Sequence, residues 1–226
     1  MEKPSLEITE HQIVLLGSFN TAIFHPQWMA RKGIISEGEA SGAEIKVSHN
    51  EISEFYLESC QFQVLPERFT LTSKKEAYYK YMRDLVLNIF GNLRETPIFK
   101  MGLNHRWHFK FKDSDSWHQY GHKHAPKEPF WSKILSGPGL SQLSIQGRRE
   151  DGFKGLITVS TGISNIISIK NFGVMIQVND HYDFDIETDK KEIDANSAIE
   201  VIEKNWDTSR EKCHSLYEEI VNYGCS

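Results

Sequence analysis

Five of the ten histidines in this chain, His105, His108, His118, His122 and His124, fall within twenty residues of one another. Neutral imidazole is a common ligand for zinc and similar ions. In an extended segment His122 and His124 project to the same side, and His118 or Glu128 would complete a zinc-like set. No H-E-x-x-H run and no H-x-E with P-C-x-x-C accompanies them, so a metal bound here has no assigned general base. The plainer expectation is a polar surface loop whose imidazoles stack on Trp117, Tyr120 and Trp131. The same stretch is basic, with Arg106, His108, Lys110, Lys112 and Lys127 interleaved with indoles and a phenol, the residue types that stack bases and touch phosphates. Arg106, His108, Lys110, Trp117, Tyr120 and Trp131 are therefore the candidate binding residues, and His118, His122 and His124 the candidate metal ligands.

A second cluster is acidic: Asp180, Asp183, Asp185, Glu187 and Asp189 crowd the run DHYDFDIETD. An extended backbone puts Asp183, Asp185 and Glu187 on one side, where divalent-metal binding competes with a solvated edge strand that resists edge-to-edge pairing. The EF-hand template fails, because Thr188 stands where glycine is needed. Nucleophile and phosphate signatures are missing too. There is no G-x-S-x-G elbow and no P-loop, and Gly137-Pro138-Gly139 lacks the third glycine of a dinucleotide site. Cys213 and His214 are adjacent, so on a helix they point in different directions and form no working pair. The chemistry on offer is that of binding, with no cofactor expected unless a divalent ion occupies the histidine-rich stretch.

Composition narrows the classes further. The chain has 226 residues, 39% hydrophobic and 12% aromatic, enough for a sizeable core in one domain over 1–226. A net charge of -5 argues against a general nucleic-acid binder, which needs clustered cations, but leaves a local basic patch open. Cys60, Cys213 and Cys225 contain no C-x-x-C pair and read as reduced thiols of a cytoplasmic protein. The polar run from Met1 to His11 lacks the apolar core of a secretory signal, and no apolar stretch approaches the ~20 residues that span a bilayer, so no membrane insertion is expected.

The elements that must position these residues follow from periodicity. Ile13 to Phe24 reads as a strand ended by His25-Pro26, followed by a short helix from Pro26 and a loop from Ser36 to Gly42. Ala43 to Val47, Phe55 to Leu65 and Arg68 to Thr72 read as strands of a meander. Ser73-Lys74-Lys75-Glu76 has capping-box spacing ahead of a helix marked by Tyr78, Tyr81, Met82, Leu85, Ile89 and Leu93. Ile98 to Phe111 reads as a strand with His105, Trp107, Phe109 and Phe111 on a buried face and Arg106, His108 and Lys110 on the other. A long loop over 113–140 follows, then strands at Leu143 to Gly147, Gly155 to Thr161 and Ile166 to Asp180. A capping box at Ser197-Ala198-Ile199-Glu200 opens a last helix stopped by Gly224. The fold expected is α+β, with antiparallel sheets covered by two long amphipathic helices, and two similar halves, 1–112 and 141–226, packed into one body.

Arg68-Phe69-Thr70-Leu71-Thr72, the helix from Tyr78, and Pro97-Ile98 to Gly102-Leu103-Asn104 resemble the middle of a sporadically distributed family of uncharacterised bacterial proteins of about this length. The resemblance implies the same plan of strands, helix, strands and C-terminal helix, and no catalytic residues. Sporadic distribution is typical of mobile bacterial genes, including antiviral defence cassettes. The leading expectation is a non-catalytic accessory subunit that docks to a protein partner or to a second copy of itself. A metal-dependent hydrolase or nuclease, and a nucleic-acid or nucleotide binder, stand as alternatives.

Overall fold

The computed structural model describes residues 2–166, 171–184 and 194–226. Its strands are β1 (Ser5–Gly17), β2 (Glu44–His49), β3 (Ile52–Tyr56), β4 (Gln61–Leu65), β5 (Arg68–Ser73), β6 (Ile98–Lys110), β7 (Gln142–Arg148), β8 (Leu156–Ile163) and β9 (Gly173–Asp183). All pair antiparallel in one sheet of order β2-β3-β4-β5-β1-β6-β9-β8-β7. The helices are α1 (Pro26–Arg31), α2 (Glu37–Ser41), α3 (Tyr79–Asn92), α4 (Ser114–His124), α5 (Trp131–Ile134) and α6 (Asn196–Cys225). None of the described helices is long and apolar enough to cross a membrane.

Strand alternation sends one parity of side chains into the core. On β1 these are His11, Ile13 and Leu15, on β6 Leu103, His105, Trp107 and Phe109, and on β9 Val174, Ile176, Val178, Asp180 and Tyr182. The opposite parity, including Gln12, Arg106, Gln177 and Thr158, is polar and partly exposed. α3 buries Tyr79, Met82, Leu85, Val86, Ile89 and Phe90, a three-and-four spacing that faces the sheet with one stripe. α6 is 30 residues long, about 45 Å at 1.5 Å per residue. Its first half packs Val201, Ile202 and Trp206 into the core beneath α3. Its second half packs Cys213, Val221 and Cys225 into a second core with Trp107, Phe109, Phe111 and Tyr120. One helix thus joins the two cores across β6 and β9.

Several expectations change. The first strand starts eight residues before Ile13 and stops at Gly17, because its polar end finds a full ladder on β6, from Ser5 opposite Lys110 to Leu16 opposite Lys100. The segment from Phe55 to Leu65 is two strands, closed by Leu57 N–H donating to Cys60 O at 2.8 Å. The loop expected at Ser36 to Gly42 holds α2, whose Ser36 and Glu39 form a capping box. The capping boxes expected ahead of the two longer helices do not form. α3 begins at Tyr79 after a 3-10 turn, since Glu76 is engaged by His11 and Arg210. α6 begins at Asn196, whose N–H is taken by Asp194 Oδ1 at 2.9 Å, and continues through Gly224. The region 113–140 holds α4 and α5, so that among the described residues α2, α4 and α5 add to the short helix from Pro26 and the two longer helices expected. The strand expected from Ile166 begins at Gly173, and Asp185, Glu187 and Asp189 lie outside the described residues.

Gly224 explains how α6 approaches α4. A Cβ built there would stand 2.3 Å from Tyr120 Cδ2 and 2.8 Å from His124 Nε2. Tyr120 is fixed by its hydroxyl, 2.7 Å from Thr161 Oγ1, so it cannot swing aside cheaply. Gly224→Ala should therefore destabilise the fold by about 1–2 kcal/mol, overpacking outweighing the gain in helix propensity. Urea denaturation checks this, with exposed Gly91→Ala as the control.

Candidate functional site

The expected binding residues divide among three environments. Arg106 and His108 lie on the polar face of β6. Arg106 donates from Nη1 to Glu10 Oε1 at 2.6 Å and from Nε and Nη2 to Gln177 Oε1 at 3.1 and 3.0 Å. Its charge is therefore already met by protein. His108 is buried, its Nδ1 2.9 Å from Ser164 Oγ, and burial with help from the Arg106 charge lowers its pKa to about 4. It is neutral at neutral pH and offers no cation. Lys110 is exposed beside them. Tyr120 is 1% exposed and belongs to the core on the other face of the sheet. The six residues Arg106, His108, Lys110, Trp117, Tyr120 and Trp131 thus form no single surface.

The metal set divides as well. His118 and His122, one turn apart on α4, face a shared cleft. His124 turns the other way, its ring 4.5 Å from that of Tyr120 and 5.2 Å from that of Tyr223. The two-residue spacing of His122 and His124 places them on one side of a strand but on different sides of the helix that forms. Among the described residues no three His, Cys, Asp or Glu side chains come together as a metal site.

What the region does build is an apolar cleft of about 180 Å³ between α4 and the adjoining ends of β8 and β9. Its floor is Val174, Ile163 and Gly162, its walls Trp117, Gly121 and Leu140, and its rim His118, His122 and Lys127. Trp117 is anchored by its indole N–H, which donates to Gly173 O at 3.2 Å, so that wall is preformed. Burial first, then the charges of Lys127 and His118, hold the His122 imidazole below its usual pKa. The chain between the lining residues Lys127 and Gly139 exposes Phe130, Trp131, Ile134 and Leu135, at 59%, 45%, 57% and 53%. Leu140, Ile163 and Val174 carry no local signal in the sequence, since only tertiary contact makes them walls of one cleft.

Two polar clusters, largely buried apart from Glu76 and Arg210 of the first, stand apart from the cleft. In the first, His11 Nε2 lies 2.7 Å from Glu76 Oε2, and His11 Nδ1 lies 2.8 Å from His105 Nδ1. With Glu76 accepting from His11 Nε2–H, His11 Nδ1 is a bare acceptor and His105 must donate from its own Nδ1. His105 Nε2 is then an acceptor without a partner. Burial works against ionisation of Glu76, but His11 and Arg210 outweigh it and hold its carboxyl below the usual range. Burial lowers His11 and brings His105 to about 3. His105 is 2% exposed and packed against Trp107 and Tyr79, so no substrate reaches its free nitrogen. In the second cluster Asp180 accepts from Arg149 Nη1, from Tyr182 Oη at 2.8 Å and from Ser209 Oγ at 2.6 Å. The Arg149 guanidinium stacks 3.7 Å over the Tyr182 ring and also pairs with Asp151. Both clusters join helix to sheet, and none of their residues lines the cleft beside α4.

Two consequences are measurable. His105 and His108 have folded pKa values near 3 and 4, below the ordinary 6.5, so the folded state binds fewer protons than the unfolded chain. Stability is full above pH 6.5 and falls as pH drops toward 4, by about 1.4 kcal/mol per pH unit for each histidine kept neutral. Urea unfolding at pH 7 and pH 5 should show this loss, and His108→Asn should reduce it. Arg149→Ala removes the ion-pair partner of the buried Asp180 side chain and should cost about 3–5 kcal/mol, read as a fall in the urea midpoint. Against known proteins, no family model matches the chain and no curated sequence is significantly similar to it.

Proposed function

We propose that the protein is a non-catalytic docking subunit whose cleft beside α4 takes an apolar anchor residue of a protein partner. The observation that carries this reading is the apolar run Phe130, Trp131, Ile134 and Leu135, left exposed directly beside an apolar cleft. Exposed clusters of this kind, with aromatic residues among them, mark interaction sites on soluble proteins. Size points the same way. Small-molecule sites usually enclose about 300–1,000 Å³, and a cleft of about 180 Å³ suits one or two partner side chains better than a metabolite. Lys127 on the rim favours a partner with a carboxylate next to its anchor. A place in a bacterial defence or mobile-element assembly fits the family resemblance of the region from Phe62 to Asn104.

The alternatives have less support. A phosphate-binding stripe on β6 would need Arg106 to leave Glu10, and hydrolytic metal chemistry would need a third ligand beside His118 and His122. Gly121→Leu tests the docking site directly. A Cβ there meets Leu140 at an ordinary 3.5 Å, so the larger side chain grows into the cleft without disturbing α4. In co-purification from the native gene context followed by titration, Gly121→Leu and Trp131→Ala should each weaken partner binding at least about tenfold, ~1.4 kcal/mol. Unchanged binding in both variants would remove the proposal.

A further inference from the structure

Among the described residues the sheet has two free edges, and they are not alike. β2 carries Glu44, Lys46 and His49 and a register shift between Ile45 and Val47, devices that discourage a further strand from adding. β7 has none of these before its last residue, Arg148. From Gln142 to Gly147 it holds no charge and no proline, and its pairing with β8 runs without a bulge from Gln142 to Arg148. Ile145 is 60% exposed in the middle of it, and Leu143 is only partly covered.

The hydrogen-bond phase of this edge follows from one contact. Ile163 N–H donates to Ser141 O at 3.1 Å, so Ser141, and by alternation Leu143, Ile145 and Gly147, turn their backbone groups to β8. The N–H and C=O groups of Gln142, Ser144, Gln146 and Arg148 therefore face outward. Antiparallel pairing of this strand with a second β7, about a twofold axis through Ile145, brings Ser144 opposite Gln146 and Gln142 opposite Arg148. All four are outward-facing residues, so the four pairs exchange about eight backbone hydrogen bonds, two each. Ile145 meets Ile145 as a non-hydrogen-bonded pair, the kind with side chains closest together. Leu143 falls opposite Gly147, where a Cβ would meet nothing within 4 Å, so the space for a leucine side chain is there. Arg148 meets a neutral glutamine, and no like charges are opposed.

We propose that β7 is a self-association edge, through which two copies of this chain continue their sheets into one another about a twofold axis at Ile145. The surface is self-complementary in phase, volume and charge, as a twofold interface must be. It is separate from the proposed anchor cleft, and different variants address the two. Sedimentation velocity of the full chain over a concentration series should show a reversible dimer. Ile145→Lys should raise its dissociation constant at least about tenfold without lowering the melting temperature, since the side chain is exposed. Ile145→Cys should form a dimer cross-link on mild oxidation, because non-hydrogen-bonded partners stand about 4.5 Å apart at Cα, within disulfide reach. Ser144→Cys should not, since its own copy lies on the diagonal about 7–8 Å away. The native cysteines are all buried and do not compete. A monomer at every concentration, a dimer indifferent to Ile145→Lys, or equal cross-linking of the two cysteine variants would each overturn the proposal.

Discussion

The β1·β6 ladder holds the middle of the sheet, and everything to either side hangs from it. Its register runs from Ser5 opposite Lys110 to Gly17 opposite Ile98, and each of the two strands also carries a neighbour, β5 on β1 and β9 on β6. The pairing is set by parity. Slipping it by one residue would turn Ile13, Leu15, Leu103 and Trp107 out of the core and bring Gln12, Glu10 and Arg106 in. Polar groups reinforce the register on both faces. On the core side His11 stands opposite His105, each the other's hydrogen-bond partner. On the outer side Glu10 stands opposite Arg106 and accepts from it. A displaced register would leave an imidazole buried without a partner, a cost of about 1–3 kcal/mol for a neutral group.

The His11–Glu76–Arg210 line extends that lock to the helices. Glu76 precedes α3 and Arg210 lies on α6, so one carboxylate ties the central strand to both. Asp180 plays the corresponding part on β9, receiving Arg149 from the β7–β8 connection and Ser209 from α6. Neither pair adds much net stability: Glu76 and Arg210 are half-exposed, so solvent screens their attraction, and for the buried Arg149–Asp180 pair desolvation offsets most of it. Their effect is on uniqueness. Each cluster is satisfied only when one strand, one connection and one helix stand in a single arrangement, and so each fixes where α6 crosses the sheet.

The legible parts of the fold were those whose residues announce a period. The alternation of His105, Trp107, Phe109 and Phe111 marks β6, and the three-and-four spacing of Met82, Leu85 and Ile89 marks α3. What stayed hidden is long-range. Ser73 to Glu76 has the letters of a capping box, yet Glu76 is claimed by residues 65 and 134 positions away in the chain. His11 sits in a run of polar residues and gives no local sign that it will be buried. α4 was hidden differently, since Ser, Asp, Gly and His are poor helix formers and only Trp117, Tyr120 and the packing of α6 give that segment an inner face. The candidate site shows the same division. The segment with the histidines and indoles was visible, but the wall residues Leu140, Ile163 and Val174 are brought in by topology alone.

Topology also explains why that segment is long. β6 is central and β7 is an edge, so the connection between them crosses three strand spacings, about 14 Å, besides returning along the molecule. The connection from β1 to β2 crosses four spacings and is long for the same reason. Length alone therefore says nothing about function in either. The difference lies in what each does with its apolar residues. Between β1 and β2, Phe24, Met29, Ile34 and Ile35 are all buried against the main core. Between β6 and β7, Tyr120 and Phe111 are buried, while Phe130, Trp131, Ile134 and Leu135 are left in water. Both connections border clefts, but only the second leaves large apolar side chains exposed next to one. Exposure of four large apolar side chains brings no stability to the lone chain, and it is on this difference between the two connections that the proposed docking role rests.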